Sequence, residues 1–222
     1  MTIEFRAWPK TPRLYRDITI TEKIDGTNAA VLIEEHAFGE GVDLPDEVLR
    51  VVPGPAKMDM GMPASEYWVA AQSRKRLITP DSDNYGFASW VQLNAVGLVQ
   101  TLGTGYHYGE WWGSGIQRRY GLTGNDKRFS LFNVRRYADI NFDRVRGLGL
   151  VPTLYEGPFA ESAILDSLAW LRKHGSAAAP GFKDPEGVIV HHSQSGQVYK
   201  VLLDNDHLPK SAAGQSTLPL AA

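Results

Sequence analysis

Short β-branched and aromatic runs recur along this chain between turn residues, and two longer stretches have helical periodicity. Two of the runs, 19–24 and 27–33, flank the pair Asp25-Gly26, which favours a hairpin turn. The helical stretches, 84–102 and 160–174, each end at a glycine. Successive strands joined by short turns pair antiparallel. We therefore expect an α+β fold of mostly antiparallel sheets with packed helices.

The remaining segments predict a single domain followed by a short tail. The acidic segment 34–47 and the segment 53–63, rich in Pro and Gly, are expected to be loops. Further strands are expected at 48–52, 67–72, 106–112, 129–134, 151–155, 188–192 and 197–203, the last two as a terminal hairpin. We expect residues 1–203 to form the domain and 204–222 to be a flexible C-terminal tail.

Composition excludes several classes of function. The chain has no cysteine, which removes disulfides, thiolate zinc sites, iron–sulfur clusters and a cysteine nucleophile. Its net charge of −2 argues against a strongly basic nucleic-acid binder but leaves local basic patches open. The sequence has no apolar run long enough to span a membrane and no secretory signal in its first residues, so we expect no membrane association.

The segment Thr21-Glu22-Lys23-Ile24-Asp25-Gly26-Thr27-Asn28 is the first candidate for chemistry. One interpretation is a surface hairpin with a polar tip. The other is a lysine nucleophile at Lys23, followed by a glycine that lets a phosphate approach the backbone. Because Lys-x-Asp-Gly is short and occurs by chance, this second interpretation needs partner residues.

Candidate partners follow in order along the chain. Glu110 lies between glycines and tryptophans, Phe132 lies in an apolar run that we expect to be a strand, Glu186 precedes an apolar run, and Lys200 lies in the last run. Each alone has an ordinary explanation: a strand-end turn, a core aromatic or a solvated lysine.

Taken together, these segments resemble the covalent nucleotidyltransferases, the superfamily of ATP-dependent ligases and mRNA capping enzymes. The chain is most similar to phage-type ATP-dependent RNA ligases, and the resemblance extends over residues 8–203. It implies a nucleotidyltransferase fold, an ATP-grasp-like ligase adenylation domain. It also implies an RNA ligase that forms a lysyl-AMP intermediate, transfers AMP to a 5′-phosphate end and seals that end to a 3′-hydroxyl. A role in RNA repair and a cytoplasmic location in a phage- or bacterium-like setting follow from the same resemblance.

The resemblance implies a role for each matching residue. Lys23 attacks the α-phosphate of ATP, and Asn28 lines the nucleotide and phosphate pocket. Arg74 contacts AMP and the polynucleotide end. Glu110 accepts hydrogen bonds from the ribose hydroxyls, and Phe132 stacks on adenine, consistent with carboxylate and aromatic chemistry.

The cofactors implied are ATP and Mg²⁺ or Mn²⁺. Glu186 is the implied metal residue, acting largely through water, which suits the oxygen-rich coordination of Mg²⁺. Lys200 contacts the α-phosphate, and Glu22 belongs to the nucleotide-binding set. Ligases of the superfamily commonly carry two alternating lysines in the last motif, whereas here Leu202 and Val198 flank Lys200. Lys183 is a candidate substitute.

Basic residues provide a candidate nucleic-acid surface. They are interleaved with aromatic residues, an arrangement that suits a phosphate backbone with stacked bases, although an ordinary solvated face is the alternative. The candidates are Arg74, Arg76, Arg118, Arg119, Arg135 and Arg136. We expect RNA or DNA strand ends as substrates. Because the chain ends soon after the last motif, a partner protein could supply further nucleic-acid binding.

Two other functions remain open at this stage. One is a stand-alone nucleotidyltransferase of capping or DNA-ligase type. The other is a catalytically inactive nucleotide- or RNA-binding scaffold, against which the presence of Lys23, Glu110 and Glu186 argues.

Overall fold

The chain forms two compact units, each with its own sheet and helix. The computed structural model describes residues 3–39, 43–56 and 62–204. The first unit contains the described residues of Met1–Lys23 and Pro152–Ala222, and the second is built from Ile24–Val151. In chain order the elements are β1 (Asp17–Lys23), β2 (Thr27–Ala37), β3 (Arg50–Pro53), β4 (Ser65–Ser73), β5 (Leu77–Ile78), α1 (Phe87–Leu102), β6 (Gly105–Gly113), β7 (Lys127–Leu131), β8 (Leu148–Leu150), β9 (Thr153–Pro158), α2 (Glu161–His174), β10 (Gly187–His192) and β11 (Val198–Leu202).

The first unit is a four-stranded antiparallel sheet in the order β11-β10-β1-β9, packed against α2. Ile18 and Ile20 of β1 face Leu168 and Leu171 of α2, and all four side chains are buried. The strands β10 and β11 form the expected terminal hairpin. Alternation along β1 therefore assigns one face to the core of this unit.

The second unit is a larger sheet in the order β3-β4-β2-β6-β7-β8, with β5 added beside β4. Its pairings are antiparallel except for β7 with β8, which are parallel. Phe87 and Val91 of α1 pack with Val31 of β2 and Trp111 of β6 in the core. The expectation of an α+β fold with mostly antiparallel sheets and packed helices is confirmed.

Both helices end at the glycines that the sequence predicts as their C-terminal ends. Gly103 follows α1 with φ 69° and donates its N–H to the carbonyl of Val99, and Gly175 follows α2 with φ 87° and donates to Leu171. A side chain at Gly175 would bring its Cβ within 2.2 Å of the carbonyl oxygen of Phe182. Glycine is required there by both backbone conformation and space.

The predicted hairpin at Asp25-Gly26 is wrong. β1 pairs with β9 and β10, whereas β2 pairs with β4 and β6, so each strand already has a neighbour on both edges. Two runs joined by a turn-forming pair satisfy the local requirement for a hairpin. Here the longer-range pairings determine the topology.

Other boundaries also differ from the expectations. The acidic loop begins later than predicted, because Glu34 and Glu35 extend β2 and pair with Trp68 and Tyr67 of β4. Phe132 lies just beyond β7, although its N–H still donates to the carbonyl of Tyr108 at 3.0 Å. The short strands β5 and β8 were not predicted. Parts of the predicted loops, 40–42 and 57–61, and nearly all of the predicted tail, 205–222, lie outside the described residues.

Within the described part of the chain, no helix is long and apolar enough to cross a membrane.

His107 is a buried titratable group in the core of the second unit. Its Nε2 lies 3.0 Å from the carbonyl oxygen of Gly103, and its Nδ1 lies 2.9 Å from the hydroxyl of Tyr137. Because a carbonyl oxygen only accepts hydrogen bonds, the neutral ring donates from Nε2. Its Nδ1 then accepts a hydrogen bond from the Tyr137 hydroxyl. Burial lowers the pKa of His107 from 6.5 to about 4.

We expect His107 to make the protein sensitive to acid. Between its ordinary pKa of 6.5 and the folded value of about 4, the unfolded chain binds a proton that the folded protein does not. Stability is therefore lost as the pH falls through this window, by about 3 kcal/mol at most. Urea unfolding of the parent and of His107→Gln across this pH range measures the difference. Identical pH slopes for the two proteins would contradict the assignment.

Candidate active site

Lys23 and Glu186 form an ion pair within the first unit. Lys23 ends β1 and lies opposite Gly187, the first residue of β10, so Glu186 is placed beside it by strand register. The Nζ of Lys23 bonds to Oε2 of Glu186, and the two side chains are 18% and 7% exposed. The resemblance assigned these two residues to the nucleophile and metal positions, and the fold brings them together.

Lys200 lies on the same sheet face as Lys23 but farther along it. It pairs with Ile189, whereas Leu202 pairs with Gly187, which in turn pairs with Lys23. Leu202 is therefore in the same row as Lys23, separated from it by a glycine. The position that faces Lys23 across this sheet holds an apolar side chain, and Lys200 is exposed two residues away.

Lys183, the candidate substitute for the missing lysine, makes a different contact. Its Nζ donates to the carbonyl oxygen of His174 at 3.0 Å, at the C-terminus of α2. A cation at the C-terminus of a helix is favourable. This contact gives Lys183 a structural role at the end of α2.

Glu22 is buried and hydrogen-bonded to backbone. Its Oε2 accepts from the N–H groups of Ala177 and Ala178 at 2.7 and 2.9 Å, and the residue is 1% exposed. Burial raises the pKa of Glu22, while hydrogen bonds from the Ser176 side chain and these two N–H groups oppose the rise. The residue holds the segment after α2 against β1, a role that its position beside Lys23 in the sequence did not indicate.

We expect Glu22→Gln to be more stable than the parent at neutral pH. The pKa of Glu22 in the folded protein lies above the ordinary 4.5. At pH values between the two, the folded protein keeps a proton that the unfolded chain releases. Stability is therefore lost as the pH rises through the folded pKa. Glutamine keeps an oxygen for Ala177 and Ala178 without the buried charge. Denaturant unfolding should show the advantage at pH ~7 and none below the ordinary carboxylate pKa. A variant that is less stable than the parent at neutral pH would contradict this account.

In the second unit, Asn28 and Glu110 lie directly opposite each other. They are cross-strand partners in β2 and β6. Oε1 of Glu110 accepts the N–H of Gly26 at 3.1 Å, so this carboxylate also holds the backbone of the lysine motif. A Cβ on Gly26 would lie 2.4 Å from the carbonyl oxygen of Trp111, which is why this position needs a glycine.

Asp25 is held by two residues that the sequence did not single out for this role. Its N–H donates to the hydroxyl of Tyr120 at 2.8 Å, and its carboxylate lies 3.4 Å from Nε of Arg118. Tyr120 is buried, with φ 50°, and follows Arg119 with φ 59°. The glycine-rich loop around Tyr120 was the available indication, but its contact with Asp25 depends on tertiary structure.

Phe132 lies on the same sheet face as Glu110, and Arg74 follows the end of β4. Phe132 is 40% exposed and lies opposite Tyr108, two residues from Glu110 on β6. Arg74 is exposed and follows Ser73, whose partner in β2 is Ala29, the neighbour of Asn28. The second unit thus brings Asn28, Glu110 and Phe132 to one sheet face, with Arg74 next to the strand end that pairs beside Asn28.

Four of the other basic candidates are all exposed, and two of them donate hydrogen bonds to neighbouring residues. Arg76 donates to Ser82 and Leu77, and Arg136 donates to the carbonyl oxygens of Tyr106 and Thr104. Arg119 and Arg135 are the other two. Arg76 and Arg136 thus have structural contacts, and nucleic-acid binding by the group stays a prediction.

The described residues contain no group of three or more His, Asp or Glu side chains that could hold a metal ion. One carboxylate, Glu186, lies beside the candidate nucleophile. Because Mg²⁺ is usually bound by one or two carboxylates together with substrate phosphates and water, this inventory fits that ion.

Comparison with known proteins gives one family and several solved structures. A family model described as RNA ligase matches residues 16–202. No curated protein matches the chain. An RNA ligase mutant of Naegleria gruberi with AMP and Mn is 15% identical over 85% of this chain and 50% of that chain, with a TM-score of 0.48. The Naegleria gruberi RNA ligase with PPi is 16% identical over 84% and 49%, with a TM-score of 0.49. The chain spans about half of the length of these ligases.

Proposed function

Because this chain belongs to the RNA ligase family, we propose that it is an ATP-dependent ligase that joins RNA ends through a lysyl-AMP intermediate at Lys23. The observation that carries the proposal is the ion pair of Lys23 with Glu186, two residues 163 positions apart that meet at the ends of neighbouring strands. A nucleophilic lysine needs a fixed position and an acceptor for its proton. The pair supports both requirements.

The proposed first step forms a P–N bond between Nζ of Lys23 and the α-phosphorus of ATP. The bond from that phosphorus to the oxygen bridging to the β-phosphate breaks, and pyrophosphate leaves. The ammonium must lose a proton before attack, and the Glu186 carboxylate is the acceptor bonded to it.

Two further transfers complete the proposed reaction. A 5′-phosphate oxygen of the strand attacks the adenylyl phosphorus, the P–N bond breaks, and Lys23 is regenerated. The 3′-hydroxyl of the other end then attacks the activated 5′-phosphorus, and AMP leaves as the new phosphodiester forms. Lys200 provides positive charge for the transferring phosphoryl group in this proposal.

The second unit provides the proposed nucleotide contacts. Oε1 of Glu110 accepts the Gly26 N–H, and its carboxylate is the acceptor that we propose for the ribose hydroxyls. Phe132 is exposed enough for its ring to stack on adenine. Asn28 and Arg74 are the residues that we propose to bind the phosphate side of the nucleotide and the strand end.

A divalent cation would supply positive charge at the α-phosphate when bound. Glu186 is the residue that we propose to hold it, largely through water. The remaining chemistry is assigned to side chains of this chain.

The test is direct labelling of the protein. Incubation with α-labelled ATP and Mg²⁺ should give a labelled band on a denaturing gel, and the adduct should be acid-labile and base-stable. Addition of 5′-phosphorylated single-stranded or nicked RNA should remove the label and produce joined strands. Labelling by GTP as efficient as by ATP would favour a capping-type transferase, and no labelling would favour a scaffold.

A further inference from the structure

Three large aromatic side chains are half-exposed on one face of the second sheet. Tyr106, Tyr108 and Phe132 are 48%, 46% and 40% exposed. Tyr106 and Tyr108 alternate with the buried His107 on β6, so they point away from the core. Phe132 lies across from Tyr108, because its N–H donates to the Tyr108 carbonyl oxygen. We call these three residues the aromatic platform.

The two tyrosine rings of the platform are stacked side by side. The rings of Tyr106 and Tyr108 are nearly parallel, with an interplanar angle of 16° and centroids 6.0 Å apart. Glu110 is the next residue in the same alternation along β6. The platform therefore continues directly from the carboxylate that we propose to bind ribose.

Positive charge lies beside the platform. The guanidinium of Arg136 is fixed next to Tyr106 by hydrogen bonds of 3.2 and 3.4 Å to the carbonyl oxygens of Tyr106 and Thr104. Arg74, also exposed, directly follows β4. The acidic Glu34 lies beyond Leu32 along β2, toward the far end of this face. The Arg136 guanidinium also lies over the Tyr137 ring, 5.1 Å from its centroid. A phosphate backbone is therefore favoured near Arg136 and disfavoured near Glu34.

We infer that Tyr106 and Tyr108 of the aromatic platform bind unpaired bases of a single-stranded nucleic acid at the end to be joined, next to the adenine site proposed at Phe132. Exposed aromatic side chains on a sheet stack bases in several unrelated folds, and neighbouring cations bind the backbone. The choice of a strand end as the partner rests on the proposed function. The platform deepens that function, because it adds strand recognition by Tyr106 and Tyr108 to the adenine stacking proposed for Phe132.

The test compares affinity for a short 5′-phosphorylated single-stranded RNA, measured by fluorescence anisotropy. Tyr106→Leu keeps an apolar side chain but loses the flat ring, and should weaken binding about tenfold. Tyr106→Phe should bind like the parent. Trp170→Ala, which removes a similarly exposed aromatic from α2, should also leave affinity unchanged. Duplex RNA of the same sequence should compete poorly because its bases are paired.

Adenylylation separates this inference from the proposed function. Tyr106→Leu should still be labelled by α-labelled ATP at the parent rate, and its melting temperature should stay that of the parent. Parent-like RNA affinity of Tyr106→Leu and Tyr108→Leu would overturn the inference even if Lys23 is labelled. If RNA affinity depends on Tyr106 but Lys23 is never labelled, the proposed function fails and the platform stands.

Discussion

Lys23→Arg is expected to give a folded protein that no longer forms the AMP adduct. A guanidinium stays protonated at any accessible pH and cannot attack phosphorus, so labelling should fall at least about a thousandfold. Its positive charge still pairs with Glu186, whose side chain is 7% exposed. The measurement is transfer of label from α-labelled ATP, with Lys173→Arg, an exposed position on α2, as the matched control.

Lys23→Ala separates the chemical role of the residue from its structural role. This variant should lose the label and also remove the Lys23 ammonium from its ion pair with the Glu186 carboxylate. Breaking a buried pair from one side costs about 3 kcal/mol, so the alanine variant should unfold at lower denaturant than Lys23→Arg. Label retained by Lys23→Arg would mean that the nucleophile lies elsewhere. Equal stability of the two variants would mean that the pair contributes little to folding.

Gly26→Ala is expected to destabilise the protein and abolish adenylylation together. A Cβ at this position would lie 2.4 Å from the carbonyl oxygen of Trp111 and 2.8 Å from Cβ of Trp112. Both tryptophans are buried, so β6 cannot yield without disturbing the core. We expect a loss of about 3 kcal/mol in the free energy of unfolding, at the upper end for overpacked sites. The displaced backbone also breaks the hydrogen bond from Gly26 to Glu110.

Gly149→Ala is the matched control for this prediction. A Cβ there meets nothing within 4 Å, so stability should stay within about 0.5 kcal/mol of the parent. Denaturant unfolding and ATP labelling of both alanine variants provide the measurement. Normal labelling of Gly26→Ala would show that the motif backbone can move away from β6 without loss of function.

Much of the local structure was predictable from the sequence. Helix ends at Gly103 and Gly175 depend on a backbone conformation that glycine adopts most readily, and the structure confirms both. The β10–β11 hairpin depends on two apolar runs separated by a short turn, and it is also confirmed. The candidate site residues could also be predicted from the sequence. Lys23, Glu110 and Glu186 lie in short motifs, and the order of these motifs along the chain can be compared with that of a known family.

Pairing between distant strands was not predictable in the same way. Asp25-Gly26 satisfies every local requirement of a hairpin, yet β1 and β2 find their partners elsewhere. The choice between competing strand edges depends on the packing of whole sheets against α1 and α2. The ion pair of Lys23 with Glu186 results from one such long-range pairing.

The sequence by itself determined the fold class, the ends of the helices and the order of the motifs, because turn chemistry and side-chain alternation act over a few residues. Only the tertiary structure decided which residues the charged side chains contact. Arg118 and Tyr120 hold Asp25, and Glu22 is buried against backbone N–H groups. Alternation places Tyr106 and Tyr108 on one face of β6, but which face is covered depends on where α1 packs. Such outcomes follow from contacts between residues far apart in the chain.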